Sequence, residues 1–277
     1  MKEINRTNFY SLPKKYYNKH RYCEFVITQI EDLILNNTYS ELKGGSLNFS
    51  SPLTSAEKQL TTFELLEKRG MQEEYKALIA RALLYPLIID TCYFIQEGLL
   101  CSLKMRLSVS LTLLRKPFLE TLTILMRLIA EKDFMEKFNN KDDFDPIRLK
   151  VEEKKLILKE VDSALEMDYP IEALYAFIYD KEYESSLSNI SNSAIHLYTN
   201  KHGKRTGKQN LNFIFANEEQ NSSIWNYIYS HIPMLLTFLA DVIELNVKRS
   251  TSVNKDILLE RLLTRISYQK KYKVFNS

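Results

Sequence analysis

Apolar residues recur along most of the chain at spacings of three and four positions, which is typical of helices with one buried face. Strictly alternating stretches, which would indicate strands, are rare. The pattern predicts helices over residues 14–36, 55–70, two within 71–130, and then 147–167, 170–199, 223–248 and 254–272. The predicted fold class is therefore all-α, a multi-helix bundle of about seven to nine helices. At most one short β element is expected, at 211–215.

Chain breaks are few, because the 277 residues include only six glycines and seven prolines. The clearest linker is 37–54, which contains Gly44, Gly45 and Pro52. It suggests two units: an N-terminal helix with a Gly/Ser-containing linker (1–54) and a main helical domain (55–277). The apolar run 109–129 is predicted to be the central helix of the bundle.

Bulk composition excludes several classes of protein. The net charge is +3, from 38 basic and 35 acidic residues, which gives no general attraction to nucleic acid or to anionic membranes. Three cysteines indicate reduced thiols rather than a disulfide framework. The N-terminus lacks a secretory signal, and the uncharged run 220–240 contains too many polar residues for a membrane span. We expect a cytoplasmic protein that is not bound to a membrane.

One predicted helix has an unusual polar face. Small, uncharged, hydrogen-bonding residues and one imidazole fall on that face at about 100° per residue. They are Ser185, Ser188, Asn189, Asn192, His196 and Thr199. A solvated face usually carries Lys and Glu, so this stripe fits a semi-buried surface. Asn192 would orient His196, whose imidazole exchanges protons near neutral pH. The alternative is a structural contact between helices, in which His196 is simply hydrogen-bonded.

Charged residues also occur within the apolar run 109–129. Glu120 shares a helical face with Arg127, while Arg115 points elsewhere and is expected to meet a partner on another helix. A charge in such a setting must be paired, because an unpaired buried ion costs several kcal/mol. The structural interpretation is ion pairing. The functional alternative is an Arg115 guanidinium directed at a phosphate or carboxylate beside His196.

A basic segment follows the polar helix, and it contains two glycines. Its cations are Lys201, Lys204, Arg205 and Lys208. These side chains suit the phosphates of a nucleic acid, although such loops are often only solvated. The segment lacks the glycine spacing and the Ser/Thr of a phosphate-binding P-loop. The remaining histidines have no second ligand at metal spacing, so neither a metal nor a cofactor is expected.

The motif LLRxxxLE, which ends in Leu119-Glu120, and the sequence SNSAIH, which ends in His196, resemble those of HEPN-type helical proteins over about residues 75–200. The likeness is to a bacterial branch that has not been characterised. It implies a role in anti-phage defence or in a toxin–antitoxin system, RNA binding, dimerisation and metal-independent ribonuclease activity. HEPN active sites carry an Arg four to six residues before the His, whereas residues 190–192 here are Ile, Ser and Asn.

Two functions follow as hypotheses. In the first, the protein is an endoribonuclease in which His196 is the general acid/base, Asn192 orients it, and Arg115 or Arg205 stabilises the phosphate. Glu120 belongs to the same candidate site. In the second, the protein is a non-catalytic helical module that binds a partner chain or a second copy of itself, and the polar stripe is structural. A weaker option is a small-ligand pocket between helices.

Overall fold

The computed structural model describes residues 10–44, 47–140, 142–196 and 217–275, and within them the chain is all-α. The described ranges contain eleven α-helices and no strand. The helices are α1 (Tyr17–Leu35), α2 (Thr62–Lys68), α3 (Gln72–Leu103), α4 (Leu107–Lys116), α5 (Leu122–Ala130), α6 (Phe134–Asn140), α7 (Val151–Leu165), α8 (Ile171–Ile178), α9 (Leu187–Ile195), α10 (Glu218–Ser250) and α11 (Lys255–Tyr272). The count exceeds the predicted seven to nine. The β element expected at 211–215 lies outside the described residues.

The most central helix is α10, and not the run 109–129. It packs against α1, α3, α4, α5, α7 and α11. Ile228, Leu235 and Leu239 lie on it and are fully buried. The run 109–129 instead spans α4, a π-helical turn at Pro117–Thr121, and α5. Val109, at its start, is exposed. The apolar run had suggested a single straight element, but Pro117 lacks the N–H that an uninterrupted helix requires.

The helix predicted over 170–199 is two helices. α8 ends at Ile178, and α9 begins only at Leu187, after a polar turn. The Ser186 hydroxyl caps α9 by accepting a hydrogen bond from the Asn189 amide at 3.3 Å. α9 ends at Ile195, and the next residue, His196, has an extended backbone. His196 therefore lies at the end of its helix rather than within it.

The N-terminal helix α1 packs into the same core as the rest of the chain. It contacts α3, α10 and α11. The hydroxyl of Tyr22 is 2.7 Å from that of Thr237 on α10. His20 Nδ1 is 2.8 Å from the hydroxyl of Tyr229, which in turn lies 2.6 Å from the Ser102 hydroxyl. These buried contacts tie α1, α3 and α10 together.

Two helices are long and apolar enough to cross a membrane by length and composition, namely α3 and α10. The apolar window of α10 is 78% buried within the protein, whereas that of α3 is 28% buried. A core helix of a folded domain passes the same test. The uncharged run 220–240 lies within α10 and is largely buried.

α3 and α4 approach closely at Gly98. A Cβ at this position would lie 3.0 Å from two side-chain carbons of Leu114. The Ser110 hydroxyl donates to the Gly98 carbonyl at 2.7 Å. We expect Gly98→Val to lower the free energy of unfolding by about 1–3 kcal/mol, because the larger side chain overpacks this crossing.

Urea denaturation of Gly98→Val and of a control, Ala82→Val, measures this effect. Ala82 is exposed on the same helix. Its substitution should change stability only by the difference in helix propensity, under about 1 kcal/mol. Equal effects at the two positions would contradict a close crossing at Gly98.

Candidate functional site

The polar stripe on α9 is only partly sheltered. Ser191 is buried, but Asn192 and His196 are exposed, so the prediction of a semi-buried groove is wrong for these two residues. The Asn189 side chain donates to the carbonyls of Lys181 at 3.0 Å and Tyr183 at 2.8 Å. Part of the stripe therefore holds the turn between α8 and α9 in place. Thr199 lies outside the described residues.

Arg115 pairs with Glu120 within its own segment, and not with another helix as predicted. Nη1 of Arg115 is 3.2 Å from Oε1 of Glu120, and the side chains are 35% and 31% exposed. The π-helical turn brings residues five apart onto one face, which a regular α-helix would not do. Arg127, in contrast, is buried and pairs with Glu131 at 2.8 Å.

α9 packs against α4. Arg115 lies in the last turn of α4. Its Nε atom is buried and has no hydrogen-bond partner among the described residues. The cations predicted to bind phosphate, which are Lys201, Lys204, Arg205 and Lys208, lie outside the described residues.

A cluster of buried charges that the sequence analysis did not predict joins α1, α10 and α11. Arg265 is fully buried, and its Nη2 atom lies 2.5 Å from Asp241 Oδ1 and 2.7 Å from Glu244 Oε2. Nε of Arg261 lies 2.7 Å from Glu244 Oε1, and its Nη1 lies 2.8 Å from Asp32 Oδ2. The two acids three apart and the two arginines four apart each share a helical face. The spacing of these charged residues within apolar surroundings was the sequence signal that could have predicted the cluster.

The cluster is hydrogen-bonded beyond its ion pairs. Gln29 accepts from Arg265 Nη1 at 2.8 Å, and the Tyr169 hydroxyl donates to Asp241. Burial raises the pKa of Asp241, which Arg265 and Tyr169 partly offset. Burial opposes the charge of Arg265, but attraction to Glu244 and Asp241 outweighs this effect and raises its pKa. The guanidinium therefore stays charged at any pH at which the protein is folded.

A groove opens beside this cluster and has a volume of about 420 Å³. Its lining comes from the C-terminal end of α7 and the segment after it, from α10, and from α11. The lining residues are Ala164, Leu165, Met167, Asp241, Glu244, Leu245, Lys248, Lys255, Asp256, Leu258, Leu259 and Leu262. Leu259 and Leu263, one turn apart on α11, are 52% and 57% exposed. Large, adjacent, exposed leucines of this kind mark interaction surfaces.

No protein-family model, curated protein or solved structure matches this chain. Within the described ranges, no group of three His, Cys, Asp or Glu side chains is placed to hold a metal ion.

Removal of Arg265 should be costly, because Asp241 and Glu244 would remain buried without it. We expect Arg265→Ala to lower the free energy of unfolding by about 3–5 kcal/mol. Arg115→Ala removes an ion pair that is one-third exposed and should cost less than about 1 kcal/mol. Guanidinium chloride denaturation of the two variants tests this order. If Arg265→Ala lost no more stability than Arg115→Ala, the buried cluster would contribute no more than a partly exposed ion pair.

Proposed function

We propose that the protein is a helical interaction module that binds an amphipathic helix of a partner protein in the groove between α7 and α11. The observation that carries this proposal is the combination of the groove with Leu259, which lines it and is half exposed. The three cysteines are free and buried, which suits a reducing compartment, and we place the protein in the cytoplasm.

The shape of the groove favours a helix as its occupant. α10 supplies the floor, with Leu245, and the walls come from α7 on one side and α11 on the other. A helix lying in such a valley inserts apolar side chains at i, i+3, i+4 and i+7. Met167 adds a flexible, polarisable contact of the kind common at surfaces that accept different side chains.

The charges at the edge of the groove indicate the chemistry of the partner. Lys248 lies near the C-terminal end of α10, and Lys255 is the first residue of α11. The amino end of α11 adds the positive end of its helix dipole, although Asp256 partly offsets it. The acids on the floor, Asp241 and Glu244, are already paired with arginines. The complementary helix therefore combines an apolar stripe with acidic flanking residues.

Binding of a designed helix tests this assignment. The probe is a fluorescein-labelled peptide with leucines at i, i+3, i+4 and i+7 and glutamates elsewhere, and a second peptide carries lysines in place of the glutamates. We expect the acidic peptide to bind more tightly by fluorescence anisotropy. Leu259→Asp should weaken it at least about tenfold, because the leucine is an apolar anchor.

The matched control is Leu156→Asp, since Leu156 is 57% exposed on α7 but does not line the groove. It should bind the acidic peptide as the wild type does. If Leu259→Asp and Leu156→Asp bind the acidic peptide equally well, the peptide does not bind in the groove. A wild-type dimer that Leu259→Asp dissociates in light scattering would replace the partner helix with a second copy of this chain.

A second candidate function is a metal-independent endoribonuclease of the HEPN-like type, which the exposure of His196 supports. In this mechanism His196 takes the proton of the 2′-hydroxyl, whose oxygen attacks the adjacent phosphorus, and the 5′-oxygen leaves with the proton that His196 returns. Asn192 orients the imidazole, and the partly exposed Arg115 side chain stabilises the charge on the phosphate. Glu120 holds the guanidinium in place.

RNA cleavage in the presence of a chelator tests the ribonuclease. We expect His196→Ala to lower the rate at least about a hundredfold, the usual contribution of a general acid or base. Leu156→Ala, purified in parallel, controls for contaminating nuclease. Cleavage at the wild-type rate by His196→Ala excludes this function, and it leaves the helix-binding proposal unaffected.

A further inference from the structure

α3 is an apolar helix that the described residues cover mainly on one side. Its apolar window is 28% buried, whereas that of α10 is 78% buried. The covered side carries Leu84, Ile88 and Ile95, which belong to the hydrophobic core. A helix at the surface of a folded domain usually places charged and polar residues on its other side. α3 does not follow this rule, and its outward side therefore requires a separate explanation.

The outward side of α3 is apolar over about five turns, and we call it the α3 face. At 100° per residue, its members lie within about 40° of one line along the helix. They are Tyr75, Ile79, Ala82, Pro86, Ile89 and Tyr93. Ala82, Pro86 and Tyr93 are exposed, and the other three are partly buried. The apolar surface continues onto α2, where the ring of Phe63 lies 5.7 Å from that of Tyr75 and Phe63 is 40% exposed.

The size of the α3 face is sufficient for a reversible contact between proteins. Tyr75 and Tyr93 are 18 residues apart, so the face is about 27 Å long. Apolar patches of a few hundred Å² on folded proteins mark interaction surfaces. Two such faces, together with Phe63 and the charges beside them, would bury about 500 Å² of each copy. That is the lower limit of specific interfaces, and it corresponds to a dimer rather than to a permanent complex.

The charges beside the α3 face favour one orientation of two helices. Lys76 and Glu97 lie on the same side of the face, and both are exposed. In an antiparallel pair with a two-fold axis near Pro86 and Leu87, the numbers of residues that lie level with each other add up to 173, and 76 + 97 gives this sum. Lys76 of each copy then faces Glu97 of the other. A parallel pair would place Lys76 against Lys76 and Glu97 against Glu97, which is unfavourable.

The same charges disfavour a lipid surface as the occupant of the α3 face. Glu73, Glu74 and Glu97 are exposed along α3 and would be repelled by an anionic membrane. A second copy supplies a matching base for Glu97, which a lipid headgroup of negative charge does not. The midpoint of the charge pairing also lies close to the middle of α3 (Gln72–Leu103), so nearly the whole helix can overlap with its counterpart.

We propose that the α3 face is the interface of a two-fold symmetric homodimer, in which the α3 helices of two copies pack antiparallel and cross near Pro86. Ile79, Ile89 and Tyr93 of each copy pack against the α3 face of the other, and Lys76 pairs with Glu97 twice. The α3 face shares no residue with the lining of the groove between α7 and α11. The dimer therefore leaves that groove open and does not depend on the function proposed for it.

Light scattering during size-exclusion chromatography, at protein concentrations up to about 100 µM, measures the dimer. We expect the wild type to be dimeric at the highest concentrations. Tyr93→Asp should raise the dissociation constant at least about tenfold, because it places a charge in the apolar contact. Tyr93 is 64% exposed, so this variant should fold as the wild type does. Leu156→Asp, on α7, is the matched control and should remain dimeric.

Charge reversal and cross-linking test the orientation. At low ionic strength Lys76→Glu and Glu97→Lys should each weaken the dimer about three- to tenfold, because each creates two like-charge contacts by symmetry. The double reversal should restore it. Oxidation should cross-link Pro86→Cys, whose thiols lie near the two-fold axis, but not Tyr93→Cys, whose thiols would lie about 20 Å apart. The three natural cysteines are buried.

A wild type that stays monomeric at about 100 µM would overturn the proposal. A dimer that Leu259→Asp dissociates and Tyr93→Asp does not would place the contact in the groove, and would also overturn it. A double reversal weaker than both single reversals, or a cross-link at position 93 instead of 86, would rule out the antiparallel arrangement. Because Ala82 belongs to the α3 face, the urea comparison of Ala82→Val with Gly98→Val uses protein dilute enough to be monomeric.

Discussion

Arg265 holds the C-terminal helix against the centre of the protein. Its guanidinium bonds to carboxylates from the neighbouring α10 and to Gln29 from α1, which is more than 200 residues away, so three helices meet at one buried cation. Buried ions lose hydration that only a complete set of partners restores. A shift of α11 by a single turn would leave at least one charge unpaired. The cluster therefore fixes the position of α11 on α10 more strictly than leucine packing alone would.

The groove depends on this constraint, because one of its walls is α11. The face of α11 that carries Arg261 and Arg265 is committed to the charge cluster, which turns Leu259 and Leu263 away from the core. Leucines that would be buried in a different register are thus left available to a partner. The stability of the cluster and the shape of the binding surface are two results of the same set of contacts.

Much of the fold could be predicted from hydrophobic periodicity, because long helices repeat their buried positions many times. α1, α10 and α11 lie close to the predicted ranges for this reason. The break between α8 and α9 was missed because Lys181, Glu182 and Glu184 are ordinary helix residues, and the capping Ser186 is one of several serines there. Periodicity finds a buried face but says little about where a polar turn interrupts it.

The candidate sites were harder to predict from the sequence, since they depend on contacts between distant segments. Asp241 and Glu244 follow the uncharged run 220–240, and their partner Arg265 lies on the next helix, so spacing within one helix could not predict the pairing. The polar residues of α9 were interpreted as one functional stripe, whereas Asn189 holds a neighbouring turn.

The π-helical turn at Pro117–Thr121 has a consequence for how this chain tolerates insertions and deletions. Such a turn contains one residue more than the α-helix would hold in the same space. Loss of one residue from it would therefore restore a regular helical turn and leave the faces of α5 nearly where they are. Loss of one residue from the regular turns of α4 would instead rotate everything after it by about 100° and turn Leu125 and Met126 away from the core. The chain thus tolerates a change of length at this turn better than in the regular helix before it.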